Sequence, residues 1–365
     1  MGEGILNKPI AKNVANTVAK YRANLPQLSD KIFLTDAGME TTLIFHEGVD
    51  LPLFASFDLL KSNEGIEITR RYYARYCKLA HDAELGFVLE SPTWRANFDW
   101  AKQLGYTREE LARINRKAIA VMADLRYEFE TARSPMVISG NIGPRGDGYQ
   151  PGKLMSADEA QAYHAEQIAV FKDTAADLVS AFTMNTVAEP IGIARAAKAA
   201  GMPVVISLTL ETDGRLPTGQ TLKEAIAEID AETGHAPAYY MINCAHPTHF
   251  EGALESGAPW IKRLRGLRAT ASTRSHAELD QATDLDAGNP VELGRQYADL
   301  RRKLRHVNVL GGCCGTDFRH VEQICFACEP VASPPPPSFR GAPKGANPES
   351  STHRIARFWI AGSLP

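Results

Sequence analysis

The chain has 365 residues, with 40 Lys and Arg against 43 Asp and Glu, a formal charge of −3, 44% apolar and 23% charged residues. These are ordinary values for a globular protein, and the near-neutral balance argues against nucleic acid or an anionic membrane as an electrostatic partner. No stretch approaches the roughly 18 uncharged apolar residues of a membrane span, and six cysteines are too few for a disulfide framework.

The first residues, MGEGILNK, have no apolar signal core, and Leu6 stands where a myristoylation signal needs Ser or Thr. The expected compartment is therefore the cytoplasm. Ile10, Val14, Val18 and Tyr21 then form an apolar stripe within Pro9–Leu25, which predicts a helix ahead of the first strand.

Eight short apolar, β-branched runs follow: Ile32–Thr35, Gly86–Glu90, Met136–Gly140, Asp177–Phe182, Pro203–Leu210, Tyr239–Asn243, Ile261–Leu267 and Val307–Leu310. The seventh is the weakest, because Lys262, Arg263 and Arg265 interrupt it. Helix-like segments lie between most of them. Asn63–Ala83 carries apolar residues near a 3.6 period, and Thr107–Thr131 and Ser156–Lys172 both open with a capping box, Thr107/Glu110 and Ser156/Glu159. Alternating strand and helix specifies a parallel sheet, continuous apolar runs are what strands covered on both faces require, and eight units close into a (β/α)8 TIM-type barrel. An open doubly wound sheet is disfavoured because no G-x-G-x-x-G follows the first strand.

This predicts an N-terminal helical extension over 1–30, whose helix closes the barrel floor, a catalytic barrel over 31–330, and a Pro-rich tail over 331–365. Ser333–Ser338 reads as a polyproline spacer, and the apolar residues of His353–Ile360, Trp359 among them, suggest docking onto this subunit or a neighbouring copy.

Barrel active sites lie at the C-terminal ends of the strands. Reading only those positions brings forward Asp36-Ala37-Gly38, Glu90 and Trp94, Thr183, Glu211, Asn243-Cys244 and Gly311–Thr316 with its Cys313-Cys314 pair. Strands six and eight are near neighbours on a closed ring, so Cys244 and the Cys313-Cys314 pair face one another across the mouth. Adjacent cysteines rarely pair with each other, and the flanking glycines let the backbone curl so that both sulfurs point inward. Three thiolates on a rigid rim suit one zinc ion whose fourth position is left for water or substrate. An all-sulfur shell is a poor device for making hydroxide and a good one for holding a substrate thiol as thiolate. A closed, non-catalytic site would need a fourth protein ligand, with His246 and His249 the candidates, and metal-assisted lyase chemistry would predict His or carboxylate ligands instead. Cys325, Cys328 and Cys77 read as packing residues on helices.

These residues resemble the homocysteine S-methyltransferases, over roughly Lys31 to Cys328. The most specific part is GGCCGT at Gly311–Thr316 with NC at Asn243–Cys244, supported by DAGMET at Asp36–Thr41, GNIGPRGDGY at Gly140–Tyr149 and S-x5-DGRL from Ser207 to Leu216. The resemblance implies a zinc-dependent (β/α)8 enzyme that methylates the sulfur of homocysteine, giving methionine, with Cys244, Cys313 and Cys314 as zinc ligands. It places Asp36-Ala37-Gly38 beside the acceptor and Trp94 near the donor, a small onium compound such as S-methylmethionine, S-adenosylmethionine or a betaine. An aromatic ring holds such a methylated cation by cation–π attraction. Two departures stand out. The resemblance implies a glutamate at the end of strand four for the acceptor's amino group, yet Ser180–Met184 contains no acid, which leaves Glu90 and Glu211 to replace it or the acceptor to be a different thiol. Thr270–Leu279 also lacks the expected Pro-Asn-Ser-Gly run.

Overall fold

The computed structural model describes residues 18–149, 154–254 and 257–328. Eight parallel strands form a closed barrel in sequence order: β1 (Phe33–Leu34), β2 (Gly86–Glu90), β3 (Met136–Ile142), β4 (Leu178–Met184), β5 (Val204–Thr209), β6 (Pro237–Asn243), β7 (Leu264–Ala269) and β8 (Val309–Gly312), with β1 pairing β8 to close the ring. The fold expected from the sequence is therefore the fold observed. Long helices over Asn63–Asp82, Arg108–Phe129, Ala157–Lys172, Ala188–Ala200, Leu222–Thr233, Pro290–Lys303 and Phe318–Cys328 follow every strand except β6. Both predicted capping boxes are present: the side chains of Thr107 and Ser156 accept from the backbone N–H three residues on, and Glu110 and Glu159 reach back to the cap N–H.

Strand limits differ from the sequence expectation most at β7. Pro259–Arg263 forms a 3-10 turn, so Lys262 and Arg263 lie before the strand, and the Arg263 guanidinium pairs with Asp230 at 2.8 Å. The charged residues that weakened the apolar run are thus largely outside the sheet. Among the described residues, β6 and β7 are joined only by a short helix at Pro247–Phe250 and 3-10 turns.

The predicted N-terminal helix lies mostly outside the described residues. Its described part, 18–25, consists of bends and turns, with Val18 exposed. Tyr21 anchors this segment: its backbone N–H donates to Asp177 Oδ1 at 2.6 Å and its hydroxyl to Glu130 Oε1 at 2.6 Å. Leu25 is buried in one cluster with Phe33, Val88, Val137 and Val309. The Pro-rich segment and the apolar end of the chain lie outside the described residues. No helix among the described residues is long and apolar enough to cross a membrane.

Strand side chains alternate between two faces, and this alternation grades the barrel interior. Val88 and Glu90, Val137 and Ser139, Leu178 and Ser180, Val205 and Ser207, and Met241 and Asn243 are successive inward positions. Their lower members belong to the apolar floor cluster. Their upper members bond to one another: Ser139 to Ser180 at 2.7 Å, Ser180 to Glu90 at 3.2 Å, and Ser207 to Asn243 at 2.7 Å. The interior is apolar at the floor and polar toward the mouth, where a cavity opens.

Candidate active site and metal centre

The mouth cavity is lined by Asp36, Ala37, Gly38, Glu90, Trp94, Thr183, Asn243, Cys244, Cys313 and Cys314, so it gathers the catalytic, substrate-binding and metal candidates expected from the resemblance except Glu211. Glu211 is a third exposed and sits one step behind the wall. Its carboxylate faces His276 Nδ1 at 3.2 Å, and His276 Nε2 donates to the Cys244 carbonyl at 2.6 Å.

Cys244 follows β6 directly and adopts a left-handed backbone conformation (φ +53°), which turns the chain as it leaves the strand. Cys313 and Cys314 follow β8. The three sulfurs lie within 4.8 Å of one another, the sole such convergence of potential metal ligands among the described residues. Cys314 Sγ is 3.7 Å from Cys244 Sγ. Cys244 and Cys313 are paired as a disulfide, with their Cα atoms 5.5 Å apart. The sequence reading expected three thiolates and no disulfide. Two strand ends separated by a single intervening strand bring these two residues within disulfide reach, which cysteine counting does not reveal.

The backbone packs tightly behind this cluster. A Cβ on Gly38 would stand 2.6 Å from the Cys313 carbonyl oxygen, so the Asp36-Ala37-Gly38 loop approaches the cysteine pair only because residue 38 has no side chain.

Asn243 is the hub of the polar layer. Its Oδ1 accepts from the Thr183 backbone N–H at 3.0 Å and from the Ser207 hydroxyl at 2.7 Å, while its Nδ2 donates to Thr183 Oγ1 at 2.9 Å and to the Cys244 sulfur at 3.2 Å. Thr183 itself has φ +62° where the β4–β5 register shifts between Ala181 and Met184. Such a bulge re-aims side chains, and here Phe182 and Thr183 both line the cavity.

Asp36 and Arg268 form a buried ion pair at 2.8 Å. The guanidinium also donates to Thr35 Oγ1 at 2.9 Å, the Gly312 carbonyl at 3.0 Å and the Ala37 carbonyl at 3.2 Å, and it lies over the Phe182 ring at 5.2 Å. Burial opposes its charge, but the adjacent Asp36 carboxylate prevails and holds Arg268 above the usual arginine range. Asp36 Oδ2 accepts from the Tyr72 hydroxyl at 3.0 Å. Both oxygens of the expected catalytic Asp36 are therefore engaged. Glu90 differs. It is buried, its Oε1 accepts from Ser180, and its Oε2 has no partner. Burial pushes its carboxyl up to about 7, against the pull of nearby Arg268.

Trp94 is half-buried in the cavity wall, with its indole N–H donating to the Phe182 carbonyl at 3.3 Å. Tyr149, half-buried in the same wall, has its hydroxyl 3.2 Å from Cys314 Sγ and its ring 4.1 Å from the His276 ring. Burial pushes the Cys314 thiol up to about 11. His246 and His249 are elsewhere: His246 Nδ1 caps the short helix after Cys244 and His249 Nε2 donates to the Thr273 carbonyl. Neither joins the sulfur cluster. Cys77, Cys325 and Cys328 are buried in the helical layer, as expected for packing residues.

Sequence reading missed Arg268, Tyr149 and His276 as site residues. Arg268 had a legible signal, a charged residue two positions after Gly266 at the inward phase of β7. His276 had none, because it opens a short helix, His276–Asp280, 32 residues beyond Cys244.

The homocysteine S-methyltransferase family model matches residues 33–328. Among solved structures, the oxidized form of the homocysteine methyltransferase MmuM from Escherichia coli superposes with a TM-score of 0.65 at 18% identity, covering 84% of this chain and 99% of that one. The metallated form of the same enzyme gives a TM-score of 0.61 at 19% identity, covering 82% of this chain and 96% of that one. At these identities the superpositions speak for the fold, while the family match spans most of the chain and includes every residue of the mouth cavity. The chain is a methyltransferase that belongs to the homocysteine S-methyltransferase family.

Proposed function

We propose that the chain is a zinc-dependent S-methyltransferase that moves a methyl group from a small onium donor to homocysteine, giving methionine. The observation that carries this reading is the convergence of three sulfurs at the wall of a cavity that also holds an aromatic ring and an unpartnered carboxylate. The donor set fits a soft metal: Cys244, Cys313 and Cys314 would hold it, with Cys244 and Cys313 in their reduced state. Zinc held there supplies a position at which a thiol is a thiolate at neutral pH, where a free thiol of pKa about 8.5 is mostly protonated.

The protein's own groups then have defined tasks. Asn243 donates to the Cys244 sulfur and orients it, as outer partners of metal ligands commonly do. Glu90 Oε2 is the free acceptor for the amino group of the acceptor amino acid, in place of the acid missing from β4, and Ala37, Gly38 and Thr183 shape the wall beside it. Trp94 offers a ring to the onium charge, an attraction of about 0.5–2 kcal/mol. In the reaction the acceptor sulfur forms a bond to the methyl carbon as the bond from that carbon to the onium centre breaks, and the electron pair leaves with the donor. No general base is needed, so alignment and exclusion of water carry the catalysis.

The test is a matrix of thiols against methyl donors, read by the mass of the methylated product, with the reduced and metal-loaded protein. Methionine formed from homocysteine and an onium donor is the expected result. Methylation only of some other thiol overturns the acceptor assignment, and full turnover by metal-free protein overturns the zinc assignment.

A further inference from the structure

Three arginines of the described chain are deeply buried: Arg95, Arg126 and Arg268. Two have carboxylate partners, Arg126 with Asp177 at 2.8 Å and Arg268 with Asp36 at 2.8 Å. Arg95, only 8% exposed, has no carboxylate within ion-pair distance among the described residues. Its Nη1 donates to the Leu53 carbonyl, while its Nε is enclosed and makes no hydrogen bond. The guanidinium lies among aromatic rings, 4.1 Å from Trp100, 5.2 Å from Trp94 and 5.8 Å from Phe54. Burial pulls its pKa down, with the charges of Asp147 and Glu40 acting against that pull. Arginine does not give up its proton in proteins, and an uncompensated buried charge is costly. A cation kept in this setting without an ion-pair partner is missing an anion.

Arg95 lines the mouth cavity. It follows β2, and in a closed ring of eight strands β2 stands opposite β6, the strand that delivers Cys244. The β2 end of the ring is therefore opposite the β6 end that delivers Cys244. In-line displacement requires the donor on the far side of the transferred methyl from the acceptor sulfur. Trp94, next in the chain, offers its ring to the onium charge on that same wall.

We propose that Arg95 anchors the carboxylate of the methyl donor and is thereby a specificity-determining residue for it. This rests on the methyl-transfer reading above. Carboxylate and guanidinium form a paired, charge-assisted contact, the geometry for which arginine is suited and lysine is not.

The experiment compares dimethylsulfoniopropionate with dimethylpropylsulfonium, which has the same onium head and a similar chain without the carboxylate. It uses the reduced, metal-loaded full chain with homocysteine as acceptor. Wild-type kcat/KM is expected to favour the carboxylated donor by about 30-fold or more, in line with a charged hydrogen bond. Arg95→Met should collapse that ratio toward one, with the loss appearing in the donor KM, and Arg95→Lys should restore part of it. Calorimetric titration of dimethylsulfoniopropionate without acceptor should show the same loss of affinity. A ratio unchanged by Arg95→Met overturns the Arg95 assignment alone, as does a loss seen only in the acceptor KM, which would place the carboxylate on the acceptor. No methyl transfer from any onium donor by wild type overturns the functional reading itself.

Discussion

Replacing Arg268 by Met probes whether the Asp36–Arg268 pair is a structural strut of the barrel mouth. The substitution keeps an unbranched apolar stem and removes a guanidinium that makes four hydrogen bonds at 2.8–3.2 Å, to Asp36, Thr35 and the carbonyls of Ala37 and Gly312. Both partners are almost fully enclosed. Removing one member of a buried ion pair leaves the other charge uncompensated and costs about 3–5 kcal/mol. Asp36 retains the Tyr72 hydroxyl, which places the expected loss at the lower end, about 3 kcal/mol, still a large share of a typical total stability of about 5–15 kcal/mol. Urea unfolding followed by circular dichroism measures it, with Asp36→Asn and the double variant completing a cycle. Because the double variant carries no buried charge at this place, it should be less destabilised than the two single changes added together, with a coupling above about 1 kcal/mol. A cost below about 1 kcal/mol for Arg268→Met, or strict additivity in the cycle, refutes the strut.

Three further outcomes follow from the site. Cys313→Ala or Cys314→Ala should remove bound zinc and methyl transfer while the far-ultraviolet circular dichroism and thermal transition persist, since both residues lie at the mouth rather than in the helical layer; metal content and turnover decide, and a fully active, zinc-free variant refutes the ligand assignment. Glu90 has its carboxyl raised to about 7 by burial, so the folded protein keeps a proton that the unfolded chain releases near pH 4.3; stability should fall as pH rises from about 4.5 to 7, by a total of about 3 kcal/mol. Glu90→Gln should flatten that part of the profile, and melting curves parallel to wild type across it would contradict the reasoning. Asn243→Ala strands the Thr183 N–H and the Ser207 hydroxyl, so it should cost about 2–3 kcal/mol and weaken zinc affinity by about 10- to 100-fold, read by unfolding and by competition with a chelator; an unchanged affinity refutes its role in orienting the sulfurs.

The barrel was legible because its signal is local. Continuous apolar runs such as Met136–Gly140 and capped helices such as that beginning at Thr107 state their own conformation, and eight repeats leave few ways to close. Strand limits were less legible. Asn141, Ile142, Thr183 and Met184 belong to strands although the apolar runs end before them, because ladder bonds to neighbouring strands continue the extended backbone past the hydrophobic segment.

The three cysteines were found from sequence because sulfur at strand ends is rare and chemically loaded, and their positions at β6 and β8 follow from the strand count. Which sulfurs touch was not readable: the pairing of Cys244 with Cys313 depends on the left-handed turn at Cys244 and the close approach of Gly38. Glu211 stood on the right loop by its number, yet side-chain direction takes it behind the wall to His276. The charge pairing inside the cavity was hidden for the same reason. Asp36 and Arg268 are 232 positions apart, and nothing in either neighbourhood announces the other. Sequence alone determined the architecture, the family and the three cysteines that converge at the mouth, since these rest on local periodicity and residue chemistry. Only the tertiary structure decided which acids are consumed by partners, which are left free, and that Arg95 is buried with no carboxylate in ion-pair contact among the described residues, because pairing is set by closure of the ring, which brings distant strand ends into contact.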